Sequence, residues 1–86
     1  MSYRVELAPR ARREITRLPN RVVPAVVEFL DVIAENPFRV SKALHPPLDH
    51  LRSARRGAYR ILFEVDDEEK VVVVARVDHR ADVYRP

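Results

Sequence analysis

The sequence predicts an α+β protein, in which two N-terminal helices pack on one face of a small antiparallel β-sheet in the order β-α-α-β-β-β. Three observations lead to this fold class. The stretch "YRVEL" alternates, residues 8–35 carry apolar side chains at helical spacing, and residues 58–78 contain two strand-like stretches joined by an acidic turn. Because no repeat or linker interrupts the 86 residues, we expect a single domain over residues 1–86.

The first strand and the first helix are predicted from a change of period. In the strand, the side chains that share one face are Tyr3, Val5 and Leu7. From there the apolar residues fall three or four positions apart and form one helical stripe: Ala8, Ala11, Ile15 and Leu18. Pro9 suits the first helical turn, and Pro19 ends the helix.

The second helix is predicted from its charges. The stretch "RVVPAVVEFLDVIAEN" (residues 21–36) is rich in valine, which by propensity alone favours a strand. Its charged side chains, however, share one face only if the segment is helical: Arg21, Glu28, Asp31 and Glu35. Asn20 is the predicted N-cap, and Asn36-Pro37 is the predicted stop.

The rest of the chain is predicted to complete the sheet. Residues 37–50 contain three prolines and no sustained period, which indicates a loop. Residues 51–56 form a short strand, and Gly57 allows a bulge or a turn. In residues 58–65 two sets of side chains alternate and so face opposite sides of the strand: Tyr59, Ile61, Phe63 and Val65 on one side, and Arg60, Leu62 and Glu64 on the other. The stretch "KVVVVARVD" (residues 70–78) is apolar on both faces, which is typical of a central strand.

The composition excludes several classes of protein. Without cysteine the chain has no disulfide framework, thiol nucleophile or thiolate metal site. No apolar run approaches the ~20 residues of a membrane span, and "MSYRVEL" lacks the apolar core of a signal peptide. We therefore expect a cytoplasmic protein that does not enter a membrane.

The basic residues are unusual in kind. The net charge is only +3, but all except two of the 16 basic residues are arginine. Arginine offers a rigid set of donors that matches phosphate and carboxylate groups. Two interpretations remain open at this point: an anion-binding surface, or a genome that favours arginine codons.

Two segments carry a resemblance to a known family. The stretch "LRSARRGAYRILFEVDDEEKVVVVARVDHRADVY" resembles the C-terminal half of toxins in the RelE/ParE superfamily of bacterial toxin–antitoxin systems. The shared order is Arg-x-Gly-x-Tyr-Arg, an apolar strand, an acidic turn, a second apolar strand, and His-Arg followed by Tyr. "APRARREITRLP" fits as well, and "SARRGAYR" and "VDHRADVY" most resemble the RelG-type branch of mycobacteria.

The resemblance implies a RelE-like fold and a ribosome-dependent endoribonuclease that cuts mRNA in the ribosomal A site without a metal ion or another cofactor. In that chemistry the 2′-hydroxyl attacks the adjacent phosphorus and the 5′-oxygen leaves. Such a site needs fixed cations, a proton acceptor and a proton donor. The implied partners are a cognate antitoxin, the ribosome and mRNA.

Two arginines match the family positions that hold the scissile phosphate. Arg60 is the arginine of the Tyr-Arg pair, and its alternative is a solvated strand residue or a partner of Glu64. Arg80 is the arginine of the His-Arg pair, and its alternative is a salt bridge with Asp78 or Asp82.

Two titratable residues near the C-terminus are implied in proton transfer. Tyr84 is placed by the motif, and it also has a ring that can stack on a base. His79 can change its protonation near neutral pH, and its alternative is a structural role at a strand end. Further cations are assigned to RNA phosphates: Arg55, Arg56, Arg52 and Lys42. Arg13 and Arg17 of the first helix are assigned to ribosomal RNA phosphates or, alternatively, to a solvated face.

The sequence departs from the best-known ribonuclease branch at two positions. That branch carries two lysines in the strand before Arg-x-Gly, one of them the general base, whereas this chain has Leu51 and Ser53 there. Two other interpretations are therefore kept open. One is a ParE-like toxin that inhibits DNA gyrase and cleaves nothing, and the other is an inactive homologue that still binds an antitoxin.

Overall fold

A computed structural model describes residues 2–79. Within that range the elements are β1 (Arg4–Leu7), α1 (Pro9–Thr16), α2 (Val23–Glu35), β2 (Lys42–Ala43), β3 (Arg52–Arg56), β4 (Tyr59–Asp66) and β5 (Val71–His79). The predicted α+β class and the order of its main elements are confirmed. The structure adds β2, a strand of two residues inside the segment that was predicted to be a loop.

The strands form one mixed sheet in the order β1-β5-β4-β3-β2. Neighbouring strands from β2 to β5 pair antiparallel, as predicted, but β1 pairs parallel with β5. The prediction of a purely antiparallel sheet was wrong at this edge. Alternation in "YRVEL" reveals a strand, but it carries no information on strand direction, and the two helices return the chain to the sheet far from β1.

The two helices cover one face of the sheet. In α2 the charged stripe is exposed and the opposite stripe is buried: Val26, Phe29, Leu30, Ile33 and Ala34. They pack against sheet residues that are themselves almost fully buried, including Ile61, Phe63, Val72, Val74 and Val77. Burying a side chain of this size stabilises the folded state by roughly 1.5–3 kcal/mol. We call the helix-covered side of the sheet the inner face and the opposite side the outer face.

The start of α2 differs from the prediction. Asn20 is not the N-cap, because the helix begins at Val23 and Val22 precedes it without a side-chain cap. Residues 20–22 form a turn in which the Val22 N–H donates to the Pro19 carbonyl at 2.8 Å. Pro24 stands in the first helical turn, where its fixed φ favours helix initiation. The predicted stop is confirmed, since α2 ends at Glu35.

A β-bulge changes the phase of β5. Leu62 pairs with Arg76, whereas Phe63 pairs with Val74, so Ala75 is an extra residue in β5. Beyond the bulge, Val77 still lies on the inner face, opposite Ile61, while Arg76 and Asp78 lie on the outer face. The bulge thus keeps an apolar residue in the core and brings two charged residues to the opposite side.

The two hairpin turns have distinct local causes. Gly57 connects β3 to β4 with φ of +58°, a value that glycine adopts without strain, which confirms the predicted turn. The acidic turn between β4 and β5 is tied to the N-terminus, since the Tyr3 hydroxyl donates to the Asp67 carboxylate and the Lys70 ammonium lies 3.0 Å from the same oxygen.

Within residues 2–79, no helix is long and apolar enough to span a membrane.

Candidate functional site

The outer face of the sheet carries two rows of side chains across neighbouring strands, and all of them except Leu62 are polar or charged. Strand register sets Arg55 opposite Arg60, and Arg60 opposite Asp78. A second row, nearer the middle of the strands, consists of Lys42, Ser53, Leu62 and Arg76. Residues opposite each other in adjacent strands share a face, so the fold gathers these side chains from residues 42–78 on one surface.

Arg60 lies near the centre of this surface. Its Nη2 donates to Asp78 Oδ2 at 3.2 Å, and 42% of its side chain is exposed. The alternative partner Glu64 lies instead 3.6 Å from the imidazole of His50. Among residues 2–79, Asp78 is the one hydrogen-bond partner of the Arg60 guanidinium. The remaining N–H groups of Arg60 can therefore reach an external anion.

Arg55 and Lys42 extend the positive surface towards the β2 edge of the sheet. Both are exposed, and both line a pocket of about 540 Å³ together with Arg39 and Ser53. Because Arg55 also stands opposite Arg60, the pocket and the Arg60 guanidinium lie next to each other on the outer face. The arrangement provides several cations for one extended anionic ligand.

Two residues that sequence reasoning did not assign to the site hold Arg60 in place. Asp78 accepts from Arg60 through one oxygen and from Arg76 Nη2, at 2.8 Å, through the other. Arg76 is bound in turn by Glu14 of α1, at 3.1 Å. From the sequence, the one role inferred for Asp78 is that of a salt-bridge partner of Arg80. The bulge at Ala75 determines the face on which Asp78 and Arg76 lie. The run of valines in β5 gives no indication of this bulge in the sequence.

The structure does not bring His79 to Arg60. His79 pairs with Tyr59 across the strands, and the two rings stack with centroids 6.2 Å apart and planes at 24°. Tyr59 alternates with Arg60 along β4, so His79 and Tyr59 lie on the inner face. This position matches the structural alternative for His79.

Two of the predicted phosphate-binding arginines have partners inside the protein. The Arg56 guanidinium lies 4.8 Å from the centroid of the Phe29 ring in a cation–π contact with α2. Arg52 donates to Ser41 Oγ at 2.7 Å and to the Ser41 carbonyl at 3.1 Å, and it lies 5.1 Å from the Phe38 ring centroid. Both side chains stabilise the packing of neighbouring segments.

The remaining predicted residues are placed as follows. Arg13 and Arg17 are exposed at the C-terminal end of α1, and neither lines the pocket beside Arg55. Arg80 and Tyr84 lie outside the described residues. Residues 2–79 contain no group of three or more His, Cys, Asp or Glu side chains placed to hold a metal ion.

Comparison with known proteins identifies the family of the chain. The sequence model of the family described as the ParE toxin of the type II toxin–antitoxin system parDE matches residues 5–84. Toxin RelG of Mycobacterium tuberculosis is 49% identical over 86 residues, which covers 99% of this chain and 99% of RelG. Toxin RelE of the same organism is 37% identical over 84 residues, which covers 96% of this chain and 87% of RelE.

A solved structure supports the same assignment. A chain in the crystal structure of the toxin–antitoxin complex RelBE2 from M. tuberculosis superimposes with a TM-score of 0.89 and is 46% identical, and the match covers 93% of this chain and 100% of the other. The expected resemblance to the RelE/ParE superfamily, and within it to RelG, is confirmed. The chain belongs to the ParE toxin family of type II toxin–antitoxin systems.

Proposed function

We propose that this protein is a toxin that cleaves mRNA in the ribosomal A site and thereby inhibits translation and growth. The observation that carries the proposal is the position of Arg60: among residues 2–79 its guanidinium has one hydrogen-bond partner, Asp78, and 42% of its side chain is exposed on the outer face. The similarity to RelG and RelE along nearly the whole chain supports the same activity.

The proposed reaction is a transfer within the RNA. The 2′-oxygen forms a bond to the adjacent phosphorus, the bond from phosphorus to the 5′-oxygen breaks, and negative charge increases on the non-bridging oxygens. Arg60 would bind these oxygens, because a fixed guanidinium is already oriented for the charge that develops in the transition state. Arg80 is proposed as the second cation, and Tyr84 as the group that exchanges a proton with the reacting oxygens.

The pocket beside Arg55 is proposed to hold the neighbouring part of the mRNA. Arg39, Lys42 and Arg55 surround it with positive charge, which suits a phosphate next to the one that is cleaved. Arg52 and Arg56 are excluded from direct contact with RNA in this proposal, because Ser41 and Phe29 respectively engage them. His79 is assigned a structural role because it stacks on Tyr59.

The reaction is proposed to need no metal ion, because the arginines themselves supply the positive charge. Replacement of a non-bridging oxygen at the scissile phosphate by sulfur should slow cleavage in Mg²⁺. The thiophilic ion Mn²⁺ should not restore the rate. Specific restoration by Mn²⁺ would instead indicate a metal ion bound to that oxygen.

The proposed partners are a cognate antitoxin, the ribosome and mRNA, and their presence would place the protein in the cytoplasm. The similar M. tuberculosis chain was solved in a toxin–antitoxin complex. Expression of this chain alone should arrest growth, and co-expression of its cognate antitoxin should restore growth. High-level expression of the folded chain without any effect on growth would argue against a toxin.

The direct test is single-turnover cleavage of A-site mRNA on programmed ribosomes. Arg60→Ala should lose about 10²–10³ in rate, as is typical when one preorganised donor is removed. Circular dichroism should show an intact fold, because the Arg60 side chain lies outside the core. Arg4→Ala is the matched control, since Arg4 is also an exposed strand arginine paired with a carboxylate. Equal rates for wild type and folded Arg60→Ala would rule out this site.

Two observations favour a second candidate function, the inhibition of DNA gyrase. Leu51 and Ser53 stand where the best-known ribonuclease branch has lysines, and the matching family is named for the toxin of parDE. In that case the purified protein would inhibit supercoiling of plasmid DNA by gyrase and leave A-site mRNA intact. The two assays on the same preparation separate the candidates.

A further inference from the structure

A chain of alternating charges connects helix α1 to the proposed phosphate-binding arginine. Arg10 Nε lies 3.6 Å from Glu14 Oε2, and the same oxygen lies 3.1 Å from Arg76 Nε. Arg76 Nη2 lies 2.8 Å from Asp78 Oδ1, and Asp78 Oδ2 lies 3.2 Å from Arg60 Nη2. The chain holds three guanidinium groups and two carboxylates, so its net charge is positive. Arg60 forms the end of the chain on the outer face, and Arg10, which is also exposed, forms the other end on α1.

Glu14, between Arg10 and Arg76, joins this chain to the backbone of β5. One carboxylate oxygen of Glu14 accepts from the Val77 N–H at 2.8 Å, and the other accepts from Arg76 Nε. The register of β1 against β5 ends at Val74, so Glu14 satisfies a backbone donor just beyond the last pair of that ladder. Arg76 is therefore held from two sides, by Glu14 through Nε and by Asp78 through Nη2.

Arg76 also limits what Asp78 can do to Arg60. The Oδ1 atom of Asp78 accepts from Arg76, which leaves Oδ2 for Arg60. If Arg76 were absent, both oxygens could bind Arg60 in the bidentate geometry that arginine and carboxylate groups prefer. A bidentate pair would occupy two donor positions of Arg60 and neutralise its charge, and phosphate would then have to displace Asp78.

We propose that Arg76 is a positioning residue for phosphate binding: it takes up one oxygen of Asp78 and so leaves Arg60 held in place but still able to bind phosphate. The inference rests on the proposed cleavage of mRNA. It adds that Arg76, which does not contact the RNA, determines how much of the Arg60 charge is available.

The test is a rescue experiment with the full chain on programmed ribosomes. Arg76→Gln should lower the single-turnover cleavage rate, by up to about 10²-fold if Arg60 is displaced by about 1 Å. Asp78→Asn removes the carboxylate that would capture Arg60. The double variant Arg76→Gln/Asp78→Asn should therefore be clearly faster than Arg76→Gln alone. If Arg76 only stabilises the packing of α1 against β5, removal of Asp78 as well should restore nothing.

Controls separate this inference from the proposed function and from folding. Arg4→Gln removes the same charge from an exposed ion pair with Glu6 and should leave cleavage unchanged. If Arg60→Ala loses mRNA cleavage but Arg76→Gln cleaves at the wild-type rate, the inference about Arg76 is overturned and the proposed function is kept. Wild-type rates in folded Arg60→Ala would overturn the proposed function itself.

A second variant covers the case in which Arg76→Gln does not fold. Arg76→Lys keeps the positive charge, but a lysine ammonium cannot span Glu14 and Asp78 as the Nε and Nη2 atoms of arginine do. It should cleave more slowly than wild type and should also be rescued by Asp78→Asn. A folded Arg76→Lys variant with wild-type cleavage, or one that Asp78→Asn slows further, would contradict the inference.

Discussion

Arg55 of β3 stands directly opposite Arg60 of β4, so two like charges face each other on the outer side of the sheet. Such a pair destabilises a sheet, typically by roughly 0.2–1 kcal/mol. Arg55→Gln should therefore raise the free energy of unfolding, and the gain should shrink at high salt because salt screens the repulsion. The same variant should cleave mRNA more slowly, since it removes a cation from the pocket.

Urea unfolding at low and high salt, measured beside the cleavage rate, checks this prediction. Arg4→Gln is the matched control for stability, because Arg4 lies 2.9 Å from Glu6 and its loss should not stabilise the protein. A folded Arg55→Gln protein that is less stable than wild type at low salt would show that the Arg55 charge does not repel Arg60. A faster variant would contradict a role in RNA binding.

Ser53→Lys should increase the cleavage rate. Ser53 lines the pocket between Lys42 and Leu62 on the outer face, so a lysine there would add a mobile cation and a possible proton acceptor close to the RNA. Single-turnover cleavage on ribosomes provides the measurement, with Glu64→Gln as a control that changes the charge of the outer face by the same amount. A rate increase that is equal in both variants would reflect the general charge of the surface and not the position of residue 53.

Tyr84→Phe and His79→Gln should affect different properties. Tyr84→Phe keeps the ring but removes the hydroxyl, so a clear loss of cleavage is expected if that hydroxyl exchanges a proton. His79→Gln removes the stacking partner of Tyr59 on the inner face, so it should lower the unfolding midpoint while the folded protein retains most of its cleavage. His79→Phe restores an aromatic partner and should recover stability. Loss of cleavage in a fully stable His79→Gln protein would show that His79 takes part in catalysis.

The contact between Tyr3 and Asp67 should make stability depend on pH at both extremes. The hydrogen bond from Tyr3 lowers the pKa of Asp67 below its ordinary value of 3.8, and the same bond raises the pKa of Tyr3 above 10.0. A lowered carboxyl pKa stabilises the fold above the unfolded value, and this contribution is lost as pH falls through the folded value. A raised phenol pKa stabilises the fold below the unfolded value, and this contribution is lost as pH rises through the folded value.

Tyr3→Phe tests this relationship, because it removes the hydroxyl but keeps the ring against the core and against Lys70. The difference in unfolding midpoint between wild type and variant should be largest near neutral pH. It should become smaller below the ordinary carboxyl pKa of 3.8 and above the ordinary phenol pKa of 10.0. A difference that stays constant over the whole range would show that the contact contributes nothing through ionisation.

The sequence contained enough information for α2 and for the inner face of β4. In α2 the spacing of Glu28, Asp31 and Glu35 indicated a helix despite the valines, and all three are exposed. In β4 the strict alternation separated Ile61 and Phe63 from Arg60, and both apolar residues are fully buried. Periodic patterns of this kind are reliable because a wrong assignment would place charge in the core.

Other features depend on contacts that no local pattern contains. Arg52 and Arg56 were predicted to bind RNA because they are basic and belong to the segment that resembles the toxin family. Each, however, has a partner more than ten residues away, Ser41 and Phe29 respectively. Asp78 was visible as an acid at the end of β5, but its two partners are decided by strand register. The position of β1 beside β5 is likewise a choice among strand edges that alternation leaves equivalent.

The bulge at Ala75 makes the chemistry of the outer face depend on a residue without a functional group. If β5 paired with β4 without interruption from Val74 onward, Arg76 and Asp78 would face the helices and Val77 would face solvent. Arg60 would then stand without its carboxylate partner, beside Arg55. The electrostatic sign and strength of this surface are thus set by backbone geometry at one alanine, and any engineering of the outer face has to preserve that irregularity before it changes a charge.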